Sequence, residues 1–214
     1  MIKKLILLAA FSSSLISFAQ QQKFSIMPSV GYGWRTAETV SGLSKEERDY
    51  VKGLKSGVHF DISAYYHLKQ IGLGLKFSNF SASSDGYLTG ISDNGVLVSI
   101  PVTTRDNITF FGPSMMYSNY NEPTRHKLFM DVALGVISYT TKTGGIKGTG
   151  SNLGLDAGIG YQYQVSKNIL IGPKLSATVG TLNKMTFNGQ TVDLGDNKEG
   201  LTRVSLSAAA TFRF

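Results

Sequence analysis

Along most of this chain apolar and polar residues alternate one by one, the period of a β-strand with one greasy face and one wet face. Eight segments carry the pattern: Lys23–Trp34, Leu54–Leu68, Ile71–Phe80, Asn107–Tyr120, Lys127–Thr141, Asn152–Val165, Ile169–Thr181 and Leu201–Phe214. In the second, Val58, Phe60, Ile62, Ala64, Tyr66 and Leu68 oppose His59, Asp61, Ser63 and His67. In the last, Val204, Leu206, Ala208, Ala210, Phe212 and Phe214 oppose Arg203, Ser205, Ser207, Thr211 and Arg213. The fourth is the least regular. Phe110-Phe111 and Met115-Met116 interrupt its alternation and Pro113 removes a ladder donor, which predicts a β-bulge there.

Strands of soluble domains average about 5–6 residues. Strands that cross a bilayer at a tilt need about 9–11, and these segments are long enough. The connections alternate as well. Lys69-Gln70, Asn121–His126 and Ser166-Lys167-Asn168 are short, whereas Arg35–Gly53, Ser81–Asp106, Lys142–Ser151 and Leu182–Gly200 are long. Short turns on one rim and long loops on the other predict an all-β, eight-stranded antiparallel transmembrane β-barrel, an up-and-down meander. The short-turn rim and both termini would be periplasmic and the long loops extracellular. A ten-stranded count stays open. Tyr87–Ile91 and Val96–Ile100 flank Ser92-Asp93-Asn94-Gly95, a hairpin-turn sequence that would otherwise form a hairpin within the second loop.

The N-terminus adds a compartment. Lys3 and Lys4, the apolar run Leu5–Phe11 and Ser17-Phe18-Ala19 read as a secretory signal peptide over residues 1–19, leaving a single barrel domain over 20–214. No later window is long and apolar enough for a transmembrane helix. The 24 glycines, 12 phenylalanines and 10 tyrosines suit an extended β-architecture, and the lack of cysteine excludes disulfides and thiolate metal sites. The formal charge of +7 includes Lys3 and Lys4, and no cluster of Lys and Arg interleaved with aromatics points to nucleic acid. The short-turn rim, with Lys23, Lys69, Arg125, Lys127 and Lys167 against Glu122, is net basic and suits anionic headgroups of the inner leaflet.

The signal segment, amphipathic strands, segregated loops and terminal Phe214 resemble the small outer-membrane β-barrels of the OmpA/OmpX type. Phe111-Gly112-Pro113-Ser114 and the stretch Gly158–Asn168 look like the barrel domain common in Bacteroidota. The resemblance implies a bacterial outer-membrane location in contact with lipids and lipopolysaccharide. It also implies recognition of Phe214, with Phe212, by the barrel-assembly machinery.

Candidate chemistry sits on the wet face, which an eight-stranded barrel turns inward into a lumen just wide enough to be filled by side chains. The inward set includes His59, Asp61, Lys76, Asp131, Asp156, Lys174 and Arg203. Buried charges must pair, and register across the tight turns predicts Asp61 beside Lys76 and Asp156 beside Lys174. Such a network plugs the barrel or, alternatively, lines a narrow ion pathway. Outward aromatics predict two interfacial girdles. Phe24, Tyr66, Tyr161, Tyr163, Phe212 and Phe214 would lie at the short-turn rim, and Tyr32, Trp34, Phe77 and Phe110 at the other. The three histidines, His59, His67 and His126, adjoin no serine in a hydrolase pattern, so no catalytic, cofactor or metal site is expected. Asp193, Asp196 and Glu199 read as a solvated acidic loop. The expectation is a non-enzymatic, monomeric barrel with a structural or interaction role through its extracellular loops. A narrow pore is the alternative and a soluble lipocalin-like binder the third reading. No protein partner in the envelope or outside it is legible.

Overall fold

The computed structural model describes residues 22–37, 42, 44–91, 94, 97–195 and 198–214. The signal segment and Asp196 lie outside the described residues.

Eight strands form a closed antiparallel ring: β1 (Phe24–Arg35), β2 (Ser56–Leu68), β3 (Ile71–Ile91), β4 (Leu97–Ser118), β5 (His126–Thr143), β6 (Ile146–Ser166), β7 (Ile169–Leu182) and, after three short strands, β11 (Arg203–Arg213). Each strand pairs with its predecessor, and β11 pairs with both β7 and β1, from Ser25 opposite Arg213 to Arg35 opposite Arg203. No edge of the ring is left unpaired, as hydrocarbon requires. The short strands β8 (Lys184–Phe187), β9 (Gln190–Asp193) and β10 (Glu199–Gly200) lie in the fourth long connection.

Directly opposed residues trace the stagger. Ser25 faces Tyr65, which faces Gly74, then Ser114, Ala133, Asp156, Thr178, Arg203 and finally Arg35. One circuit therefore ends ten residues further along β1, from Ser25 to Arg35. A stagger of 8 tilts the strands of an eight-stranded barrel by about 36°; this larger stagger tilts them by about 40–45°.

The hairpin expected within the second long connection forms, and the other long connections carry more structure than the loops expected of them. Residues 81–106 continue β3 and β4 as one hairpin, paired from Ser81 opposite Asn107 to Ile91 opposite Leu97. It extends above the ring and adds no ninth or tenth strand to it. Residues 142–151 likewise continue β5 and β6, which meet at Gly144-Gly145 with Gly144 at φ 57°, a backbone shape favoured by glycine in tight hairpin turns. In the first long connection the chain forms a helix, α1 (Lys45–Lys55), that takes Leu54 out of the second strand. Its start is a capping box: the Glu47 amide donates to Ser44 Oγ (3.2 Å) and the Ser44 amide to Glu47 Oε2 (2.8 Å). Hydrogen bonds from the Ser44 amide and then from its side chain to the Glu47 carboxylate hold that carboxyl below its ordinary pKa.

The bulge expected in β4 is absent. Register with β3 is unbroken through Phe110, Phe111, Met115 and Met116, and with β5 it is the same on either side of a lapse in pairing at Gly112 and Pro113. One residue of each pair simply turns inward, and the irregularity falls instead in β6, between Gln164 and Ser166.

Candidate functional site in the barrel interior

The inner face is fixed by strand parity, and it stacks in three layers. At the short-turn end Met27, Tyr65, Met116, Tyr120, Phe129 and Leu170 form one buried apolar cluster. At the long-loop end Phe80, Ile108, Phe110, Ile137, Tyr139, Leu182 and Met185 form another. Between them lie the charges.

His59, Asp61, Lys76, Asp131, Asp156, Lys174 and Arg203 all face the lumen, none more than 4% exposed. Their partners differ from those expected. Asp61 Oδ1 accepts from Lys174 Nζ at 2.7 Å, while Lys76 Nζ lies between Asp131 Oδ2 and Asp156 Oδ1. The pairs Asp61–Lys76 and Asp156–Lys174 do not form. Residues joined by a tight turn share a hairpin, but the strong tilt puts residues of non-adjacent strands at one height, so the ion pairs cross the lumen. Ser29 Oγ donates to Asp61 Oδ2 (2.5 Å), which also lies 3.3 Å from His59 Nε2; Thr178 Oγ1 donates to Asp156 Oδ2 (2.6 Å). Arg203 donates to Ser78 Oγ (3.0 Å) and lies over the Phe80 ring at 5.9 Å. Two cations, Lys76 and Lys174, thus pair with three carboxylates, and Arg203 lies in the same buried band without an ion pair.

Both ends are further capped. At the long-loop end Arg35 donates to Asp106 Oδ2 (3.2 Å), Glu199 Oε1 (2.5 Å) and the Gly200 carbonyl (2.7 Å), and its guanidinium covers Tyr139 at 5.5 Å. At the other end the connection after β4 folds inward and inserts Tyr120, whose hydroxyl donates to Gln162 Oε1 (2.9 Å). Arg213 donates to the Tyr120 carbonyl (2.7 Å) and Asn121 Oδ1 (2.5 Å). Lys127 Nζ donates to the carbonyls of Tyr120 (3.0 Å) and Glu122 (2.6 Å). Lys127 is therefore buried and is not a headgroup ligand on the short-turn rim. Tyr65, Met116, Tyr120 and Lys127 were not among the expected lumen residues, although parity alone places all of these but Tyr120, a turn residue, on the inner face; Arg213 was on the expected wet face but not among the charges singled out.

Ser25 Oγ and His67 Nε2 stand 2.7 Å apart at this end. Both are buried, and His67 Nδ1 has no hydrogen-bond partner to orient the ring. Without an orienting carboxylate or an accessible face the pair lacks the geometry of an acyl-transfer site.

The outer face is a belt of exposed apolar residues, including Val30, Leu73, Leu75, Leu134, Val136, Leu153, Ile171 and Leu206, each at least half exposed. A continuous belt of this kind belongs against hydrocarbon. Tyr66, Tyr161, Tyr163 and Phe212 stand outward near its short-turn edge, with Phe24 and Phe214 half-buried against each other at 6.4 Å. Tyr32 and Trp34 stand outward near the other edge, 5.4 Å apart. Phe110 is not in this girdle. It is fully buried in the lumen, and Phe111 takes the outward place opposite Phe77.

No protein-family model and no curated protein sequence matches the chain. Among solved structures it is similar to Neisserial surface protein A, with 15% identity, a TM-score of 0.57, and coverage of 90% of this chain and 97% of that one. It is also similar to the outer membrane protein OprG from Pseudomonas aeruginosa, with 10% identity, a TM-score of 0.50, and coverage of 89% and 96%. Identities this low speak for the fold alone, and the fold is that of the small outer-membrane β-barrels of the OmpA/OmpX type.

Proposed function

We propose that the protein is an integral barrel of a bacterial outer membrane whose closed interior serves stability, and whose work is done by the structures above the membrane. The observation that carries this reading is the burial of the central charges: Asp61, Lys76, Lys174 and Arg203 are each 0% exposed. A conducting path would have to wet them. Instead, apolar clusters lie above and below, and Arg35 and Tyr120 close the two mouths. No nucleophile with an oriented base faces outward among the described residues, so a structural or interaction role fits better than catalysis.

On the long-loop side the chain builds a platform. The β3–β4 hairpin projects beyond the ring, α1 packs against it through Tyr50 and Thr104, and β8 and β9 form a second hairpin beside β6. In this reading the long-loop side is extracellular, Phe212 and Phe214 serve recognition by the assembly machinery, and the barrel works as a monomer on outer-membrane lipids and lipopolysaccharide.

Single-channel recording in planar bilayers tests the sealed interior. Purified, refolded protein should give no steady conductance, at any applied potential that leaves the bilayer intact. Reproducible unitary openings would establish the narrow-pore reading instead.

A further inference from the structure

The charges inside the barrel are not balanced at every level. In the central band three cations share the lumen with three carboxylates, and at the long-loop end Arg35 meets Asp106 and Glu199. At the short-turn end Lys127 and Arg213 are 1% and 2% exposed, and among the described residues neither forms an ion pair. Their donors go to oxygens that carry no formal charge. Lys127 donates to the carbonyls of Tyr120 and Glu122, and Arg213 to the Tyr120 carbonyl, Asn121 Oδ1 and the Gln22 carbonyl. Arg213 Nε has no hydrogen-bond partner. Carbonyl dipoles solvate a cation without neutralising it, and burial of a cation with no counter-charge is costly.

These two cations back onto an open depression in the short-turn mouth. It holds about 350 Å³, and Gln22, Asn121, Thr124, Arg125 and Gln164 line it together with Lys127 and Arg213. Around it the exposed side chains of Lys23, Lys69, Arg125 and Lys167 stand against one acidic side chain, Glu122, which accepts from Gln70 Nε2 at 3.4 Å. A cleft with low-dielectric walls and charge of one sign concentrates ligands of the opposite sign.

The lining narrows the choice of ligand. Gln22 Nε2 donates to the Lys167 carbonyl (2.9 Å) and to Asn168 Oδ1 (3.4 Å), and Gln164 Nε2 donates to the same carbonyl (3.3 Å). The two glutamines therefore turn side-chain oxygens, which accept, toward an incoming group. The donors of Lys127 and Arg213 are largely committed to the turn. A phosphate group, which accepts and does not donate when ionised, finds few free donors here. A peptide fits better. Its backbone N–H groups donate to the glutamine oxygens while its carboxylates meet the exposed Arg125 guanidinium. We propose that the short-turn mouth binds an acidic segment of a periplasmic protein. Arg125 pairs with a carboxylate at the rim, Lys127 and Arg213 supply the field behind it, and the ligand's charge offsets the imbalance at this level of the lumen. The proposal rests on the membrane placement above for the compartment that the mouth faces, and it adds a partner class on the side away from the platform.

The test titrates the full barrel, in phosphatidylcholine nanodiscs and in micelles, with a fluorescent hexapeptide alternating glycine and glutamate and with its glutamine counterpart. Competing arms use inorganic phosphate, phosphatidylglycerol added to the discs, and solubilised cell-wall stem peptides. Wild-type protein should bind the glutamate peptide about tenfold more tightly than the glutamine peptide. Arg125→Glu should abolish that preference in a folded barrel, whereas Arg105→Glu on the far rim should leave it unchanged. Equal binding of the two peptides by wild-type protein, or a preference that survives Arg125→Glu, would overturn the site. Loss of the preference in Arg105→Glu would overturn it too, because the effect would then be one of net charge. Full displacement by inorganic phosphate or phosphatidylglycerol would reassign the mouth to phosphate groups, and tighter binding of the stem peptides would reassign it to the cell wall. Peptide binding in micelles by a protein that never inserts into discs would keep the site and overturn the membrane placement instead.

Discussion

Two groups of charges in this barrel follow opposite rules. In the lumen Lys76 and Lys174 pair with Asp61, Asp131 and Asp156, and Arg203 brings the count to three cations for three carboxylates, all nearly or fully removed from solvent. On the outer wall Arg105, Lys142 and Lys147 stand in one row with no carboxylate paired to them among the described residues. The difference is one of dielectric. An unpaired charge inside costs several kcal/mol, so sequence and register must supply its partner. Water and mobile ions screen the outer row, so repulsion there is tolerable.

The largest way to break this comparison is Lys76→Met. It leaves Asp131 and Asp156 facing each other across the lumen without their shared cation. The variant should lose about 3–5 kcal/mol of stability, read as a lower urea midpoint for unfolding from micelles. A loss below 1 kcal/mol would mean that water already reaches the band. A milder change sharpens the other side. Lys142→Glu puts a carboxylate between Arg105 and Lys147 and should stabilise the barrel by roughly 0.2–1 kcal/mol per new pair. Destabilisation in that assay would show that the row is not under repulsion. The smallest effect concerns α1. Because the Glu47 carboxyl has its pKa lowered by the capping box, its contribution is present above the unfolded carboxylate value of 4.5 and fades as pH falls through that range. Amide exchange in α1 should quicken on acidification to about pH 3 while strand amides stay protected. A pH-independent helix would refute this.

The inner and outer faces of the strands were legible because side-chain parity has no exceptions within an unbroken ladder. Parity even resolves β4, where Phe110 and Phe111 look alike as residues and only their position decides which one fills the lumen. Taking the pair as a break in alternation led to an expected bulge, and Phe110 was misplaced in the outer girdle. The helix α1 also had a local signal, Ser44-Lys45-Glu46-Glu47, with serine three residues before a glutamate that reaches back to it. The upper hairpins were harder. On β4 the outward residues Thr109, Asn107, Arg105 and Thr103 are polar, so the sequence signalled a hairpin at Tyr87–Ile91 and Val96–Ile100 but not that its strands are continuous with β3 and β4, paired from Ser81 opposite Asn107 to Ile91 opposite Leu97. Polar segments such as these look like loops because nothing apolar needs hiding.

The sequence by itself determined a meander of amphipathic strands in hairpin order and, outside β4, which face each strand sends inward. Those properties depend on neighbours along the chain: a two-residue period and the turn residues that join consecutive strands. Which inward charges meet was decided only by the tertiary structure. The ten-residue stagger, visible from Ser25 round to Arg35, tilts every strand and brings Lys174 to Asp61 and Lys76 to Asp131 and Asp156 across the lumen. Stagger is set when the first strand and the last close the ring, a contact between residues nearly 200 positions apart that no local pattern encodes.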